Sequence, residues 1–165
     1  MYTPRHFEET RLDVMHALIA AHPFGALVRV GPNGMDTDHL RFDIVAPCDE
    51  SPRGTLRAHV ARANPVAREA GSEVMVMFAS PSSYVSPGPA WNYAVVHAHG
   101  RLRVMDDPAW LRDLVERLSY RYEEMLKAIV GIEIPIGRIE AKWKVSRARS
   151  ETLHATPVER DTVRG

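Results

Sequence analysis

A chain of 165 residues with 45% hydrophobic and 25% charged side chains has room for one domain with a real core. Its 21 basic and 21 acidic residues cancel, and the isoelectric point is about 7.1. That balance excludes a broad electrostatic footprint for nucleic acid but leaves a local patch open. The single cysteine, Cys48, excludes an internal disulfide and a thiolate zinc site and suits the reducing cytoplasm. No apolar run has the length of a membrane span, and the N-terminus lacks a signal-peptide pattern.

The first element is a helix of roughly Phe7 to Ala21, with Leu12, Met15, Leu18 and Ile19 at helical spacing and Glu8 and Glu9 near its start. His16 lies on or near the apolar face and reads as a packing histidine, and His22-Pro23 ends the helix. A hairpin follows. Phe24, Ala26, Val28 and Val30 share one side of its first strand, Gly31-Pro32-Asn33-Gly34 forms the turn, and Met35 to Ala46 returns. After a polar loop, Thr55 to Arg62 reads as a third strand, with Leu56, Ala58 and Val60 on one face and Thr55, Arg57 and His59 on the other.

Ala61-Arg62-Ala63-Asn64-Pro65 then leaves that strand and opens a short helix of about Pro65 to Ala70, with Asn64 as cap and Pro65 at the first position. Two readings stand for this motif. The commoner is a capped helix with a surface arginine; the other is a phosphate site, because free backbone donors and a guanidinium converge. Glu73 to Ala79 is a fourth strand with Val74, Val76 and Phe78 inward, and Ser80 to Pro89 is a turn region.

Trp91 to Val104 is the central strand. Its even positions, Asn92 through Val104, are mostly small or apolar. Its odd positions carry Trp91, Tyr93, Val95, His97, His99, Arg101 and Arg103. Such a row can stack on a planar ligand, hold anions or meet a partner subunit; equally, it can be a strand face turned to water. Asp107 and Pro108 start the next helix, with Leu111, Leu114, Val115 and Leu118 as its stripe. A short helix from Glu123 to Val130 and a last strand from about Ile132 to Val145 follow. Pro135 and Gly137 imply a break or bulge in that strand, and Ser146 to Gly165 reads as a polar tail.

About six strands with helices at the ends and edges predict an α+β fold built on a closed or partly open antiparallel barrel. There is no dinucleotide or P-loop fingerprint, no nucleophile elbow and no signal of a catalytic triad, so the catalytic residues stay unassigned. His97 and His99 share a strand face, but no carboxylate or cysteine stands near them in sequence, and no metal site is expected.

Several blocks occur in a telling order: His22-Pro23-Phe24, His39-Leu40, His59-Val60-Ala61-Arg62-Ala63-Asn64-Pro65, Trp91-Asn92-Tyr93 through Gly100, Ile129 to Ile134, and Lys142-Trp143-Lys144. In this order they resemble the PaiB-type family of FMN-binding negative transcriptional regulators, from Met1 to Ser146. The Ala-Arg-Ala-Asn-Pro and Trp-Asn-Tyr blocks are the specific ones. The resemblance implies an FMN-binding split barrel over residues 1–146, followed by a tail over 147–165. It also implies a homodimer, with the flavin at the subunit interface. The chain departs from the pattern at two places, between Pro87 and Trp91 and between Tyr122 and Glu123, where family members carry longer segments.

FMN needs a phosphate clamp, a wall for the isoalloxazine ring and donors for its polar edge. On the family's blocks, Arg62 and Asn64 are the expected clamp, with His59 nearby. Trp91 and Tyr93 are the wall, and Asn92 donates. Lys142 and Lys144 complete the anion site, in one arrangement from the second subunit. The function implied is a PaiB-like negative regulator working as a flavin-linked sensor. The alternative is an FMN-dependent oxidoreductase acting on a small molecule. A third reading, haem on a similar barrel, is distinguished by a Soret band. Direct DNA binding has little support, since neither a helix-turn-helix nor a basic helix is evident.

Overall fold

The computed structural model describes residues 1–85, 90–118 and 126–145. Apolar residues recur at every second position through most of them, and the backbone forms one antiparallel sheet of ten strands among the described residues. In chain order these are β1 (Glu8–Glu9), β2 (Phe24–Gly31), β3 (Gly34–Arg41), β4 (Asp43–Val45) and β5 (Thr55–Ala61), then β6 (Glu73–Ala79), β7 (Ser83–Val85), β8 (Ala90–Arg101), β9 (Arg103–Met105) and β10 (Ile129–Lys144). The main path runs β3-β2-β6-β8-β10-β5-β4, with β1 and β9 beside β10 and β7 beside β8. The six strands of seven or more residues are the barrel, as the sequence pattern predicts. Of two ten-residue helices, α1 (Leu12–Ala21) sends Met15, Leu18 and Ile19 into the barrel core, and α2 (Pro108–Arg117) forms a smaller cluster with Ile129.

β10 makes this a split barrel. Its first half, Ile129 to Pro135, pairs with β5, and its second half, Ile136 to Lys144, pairs with β8. The register shifts between Ile136 and Arg138, so Gly137 is the extra residue of a bulge. One extra residue exchanges the two faces of a strand. Before the bulge the side chains in the barrel core are the even ones, Val130, Ile132, Ile134 and Ile136, while Ile129 is buried with Leu111 and Val115 of α2. After it the inward positions are Ile139, Ala141 and Trp143, which pack with the core. Arg138, Glu140, Lys142 and Lys144 therefore face outward beside the odd face of β8.

The core is continuous across both halves. Leu27, Leu56, Phe78, Val96, Ile132 and Ile134 are fully buried, each worth about 1.5–3 kcal/mol of transfer free energy. The inward faces expected for β5 and β6 are the observed ones, and Leu111, Leu114, Val115 and Leu118 are buried along and just past α2. The Asp107 cap is in place, its carboxylate accepting from the Trp110 N–H at 2.7 Å.

Several elements differ from the sequence reading. The first helix begins at Leu12, because Glu8 and Glu9 pair in β1 with Lys142 and Ala141, and Phe7 closes a 3-10 turn, Arg5–Phe7. The return strand of the hairpin breaks at Phe42, which is buried edge-on against Phe78. The central strand divides at Leu102 into β8 and β9. Ile129 and Val130 belong to β10 rather than to a helix, while 123–125 of that expected helix and the 147–165 tail lie outside the described residues. In β2 the apolar side, with Phe24 and Val30, is turned outward, and the inward side carries Gly25, Leu27 and Arg29. Arg29 is 4% exposed and is held by Glu69 at 2.7 Å and by Asp36 and Asp38 across the hairpin.

Candidate functional site

The residues expected to hold a flavin fall into two groups, placed by opposite ends of β10. His59, Arg62 and Asn64 stand on and just after β5. His59 lies opposite Gly131, and burial pushes its pKa down, so its ring is neutral near pH 7. Arg62 donates from Nη1 and Nη2 to the two oxygens of Asp106, at 2.7 and 2.5 Å, and from Nε to the Lys127 carbonyl at 2.9 Å. The shared bond raises the arginine pKa and lowers that of the carboxylate. Asn64 does cap the 3-10 helix Pro65–Arg68, accepting from the Val66 N–H at 2.9 Å, and its amide donates to Asp38 at 2.8 Å.

This geometry favours the capping reading of the Ala-Arg-Ala-Asn-Pro motif over the phosphate reading. The fork of Arg62 already embraces a carboxylate, and a phosphate drawn to it would face the negative charge of Asp106. Asp106 is 44 residues away in sequence, so no local signal announces it.

The second group is on β8 and the far end of β10. Tyr93 lies opposite Lys144 in the register, and Lys142 is the next outward residue of β10. The ammonium groups of Lys142 and Lys144 lie 5.7 and 6.0 Å from the centroid of the Tyr93 ring, within cation–π range. Among the described residues neither lysine has an ion pair with a carboxylate; Lys142 reaches only the Tyr2 carbonyl, at 3.4 Å. Trp91, two residues from Tyr93 on the same face, is 55% exposed and meets Tyr84 edge-on at 5.6 Å. Asn92 points to the other side and is buried, so it cannot share a ligand with Trp91 across that face.

Tyr93, Lys142, Lys144 and Trp91 fit what a flavin requires: an aromatic surface beside two cations that no carboxylate among the described residues neutralises. The two groups are set beside opposite ends of β10. Gly131 and Lys144 are separated by roughly 40 Å of strand at about 3.3 Å per residue.

Sequence reasoning missed Arg138 and Glu140, which the bulge brings beside the odd face of β8. Glu140 lies opposite His97, and Arg138 lies opposite His99. The signal was present, in the alternation Arg138, Glu140, Lys142, Lys144, but its face depends on the bulge. Next to this row is an open cleft of about 750 Å³, with Val74 and Met75 among its apolar lining and His99, Arg101, Arg103 and Arg138 among its polar lining.

Comparison with known proteins agrees with the barrel and its cofactor. The chain is 27% identical to the protease synthase and sporulation protein PAI 2 of Bacillus subtilis, over 96% of this chain and 88% of that protein. Among solved structures, an FAD- and haem-binding protein from Mycobacterium smegmatis superposes with a TM-score of 0.65 at 17% identity, covering 82% of this chain and 72% of that one. A flavocytochrome from Azotobacter vinelandii gives a TM-score of 0.66 at 13% identity, covering 88% and 73%. At such identities the likeness speaks for the fold, the split barrel of flavin proteins. A family model described as "Putative FMN-binding domain" matches residues 1–154. The chain belongs to that family, and its cofactor is FMN.

Proposed function

We propose that this chain is a PaiB-like negative regulator of transcription that works as a flavin-linked sensor, holding FMN on the outward face shared by β8 and β10. The observation that carries the flavin site is the pair of ammonium groups over the Tyr93 ring, with no carboxylate partner among the described residues. Lys142 and Lys144 would bind the phosphate, and Trp91 and Tyr93 would wall the ring system. His59, Arg62 and Asn64, on and just after β5, lie beside the opposite end of β10. A second subunit could bring its own copy of that group to the interface. Bound FMN supplies reversible redox chemistry; the residues bind and orient it and exclude water from one side. The regulatory role rests on the resemblance of the sequence blocks to PaiB-type regulators; PAI 2, similar along nearly the whole chain, is named for protease synthesis and sporulation.

The assembly we propose is a homodimer. Phe24, Val30 and Met35 of the hairpin are 67, 76 and 78% exposed, and Trp91 and Tyr84 add aromatic surface. Exposed apolar groups of this number are characteristic of interfaces. Sedimentation should give a dimer at micromolar concentration, and a monomer there would contradict the interface.

The oxidoreductase reading is favoured by a different observation: the cleft beside His99 has room for a small molecule. With zero net charge the chain should show only weak DNA binding that collapses with salt, and tight, sequence-specific binding would favour the regulator. Rapid NADH- or NADPH-dependent reduction of the bound flavin with turnover of an added acceptor would favour the enzyme.

A further inference from the structure

The outward face of β8 and β10 also assembles three groups that the flavin reading does not use. His97 and His99 are two residues apart on β8, so both rings leave the same face. Glu140 on β10 lies directly opposite His97. Its Oε1 is 3.9 Å from His97 Nδ1 and 3.4 Å from His99 Nε2. One ligand atom from each of the three can be chosen so that all lie within 4.8 Å of one another. We propose that His97, His99 and Glu140 bind a divalent transition-metal ion of the zinc and cobalt class.

Two imidazoles and a carboxylate are a donor set suited to such ions. The set is carried by two central strands of the sheet, and the inward neighbours Ala98 and Ala141 are buried, so the ladder fixes the spacing of the ligands. Their protonation states suit metal binding as well. Burial lowers the pKa of both histidines, with Arg138 and the Met1 amino group acting the same way and Glu140 opposing. Burial pushes the Glu140 carboxyl up, but the Met1 amino group, Arg138 and His99 together hold it below the ordinary carboxylate range. Near pH 7 the three groups are thus two free bases and a carboxylate.

The same geometry identifies what an ion must displace. The Met1 amino group is 3.1 Å from Glu140 Oε1, and Arg138 Nη1 is 3.2 Å from Oε2. Arg138 Nη2 also lies 2.9 and 3.1 Å from the two ring nitrogens of His99. The Arg138 side chain is 59% exposed and can turn into solvent. With three protein ligands an open coordination position remains. His99 and Arg138 both border the cleft, so that position would take water or an oxygen donor from there.

The test is titration of chelator-treated protein, with and without FMN, using zinc(II) by calorimetry and cobalt(II) by visible absorption. One ion per chain and visible cobalt bands are expected. Glu140→Gln, His97→Ala and His99→Ala should each weaken binding at least about tenfold. Arg138→Ala should tighten it, a sign that metal on exposed histidines such as His6 or His39 would not give. Circular dichroism checks each variant, and Glu140→Gln, the mildest change, decides if an alanine variant fails to fold. No binding of either ion at micromolar concentration overturns the proposal. So does a Glu140→Gln variant that binds like the parent, or an Arg138→Ala variant that binds no tighter.

Discussion

The two ends of β10 use positive charge in opposite ways. At the β5 end the arginines lie on carboxylates: Arg57 on Glu133 at 3.0 Å, Arg62 on Asp106, Arg103 near Glu133 at 3.8 Å. At the β8 end two lysines lie over the ring of Tyr93, and among the described residues no carboxylate pairs with them. The residue types alone would rank the arginines as the better phosphate clamp. Their partners reverse the ranking, because a cation already paired with a carboxylate offers an incoming anion a repulsive neighbour as well as an attractive one. Availability, rather than charge, separates the two ends.

The strongest way to break this arrangement is to delete Gly137. Without the bulge residue, Arg138, Glu140, Lys142 and Lys144 would turn toward the core and Ile139 and Trp143 toward water. Burying unpaired charges costs several kcal/mol each, against a total stability on the order of 5–15 kcal/mol. The deletion should abolish the cooperative thermal transition. Gly137→Ala should keep it, since an added Cβ would find its nearest neighbour, the His99 carbonyl, at 3.8 Å.

Acid should weaken both ends. Burial holds the pKa of His59, His97 and His99 below their ordinary 6.5. The unfolded chain therefore takes up these protons first, and ν_U exceeds ν_N. The stability they contribute is complete above about pH 6.5 and is lost as pH falls from there through the folded values. Thermal melts across that range should show a midpoint that drops on acidification; a midpoint that rises would contradict the assignment.

The smallest effect sharpens the comparison most. Asp106→Asn removes the charge that occupies Arg62. If the β5 end is structural, FMN affinity stays that of the parent and only the melting temperature shifts slightly, as expected for an exposed pair. Tighter FMN binding in this variant would show that Arg62 had been the clamp, held back by Asp106.

The parts of the fold legible in the sequence are those with local signals. Asp107-Pro108 announces α2, the alternation of Val74, Val76 and Phe78 announces β6, and Pro135 with Gly137 announces the bulge. Glu8 and Glu9 misled because acidic residues before an apolar stripe suit a helix start as well as a strand edge, and only pairing with β10 decides. The inward face of β2 was hidden because its interior residue, Arg29, is charged, and the carboxylates that make it acceptable lie on other elements. The site was half legible for the same reason. Tyr93 and the two lysines were recognisable as types, whereas Asp106, Asp38 and Glu140 reach their partners only through the sheet.

The central claim is that FMN is held by the lysines over Tyr93. The direct measurement is FMN titration by fluorescence quenching of three proteins: the parent, Arg62→Ala, and the double variant Lys142→Ala with Lys144→Ala. Loss of two charge-assisted contacts, at about 1.5–3 kcal/mol each, should weaken FMN at least about a hundredfold in the double variant. Its melting temperature should stay near that of the parent, because the two lysines carry little of the core. Arg62→Ala should bind like the parent. A double variant that binds FMN as tightly as the parent, with Arg62→Ala losing the cofactor, would place the phosphate at the β5 end and contradict the account.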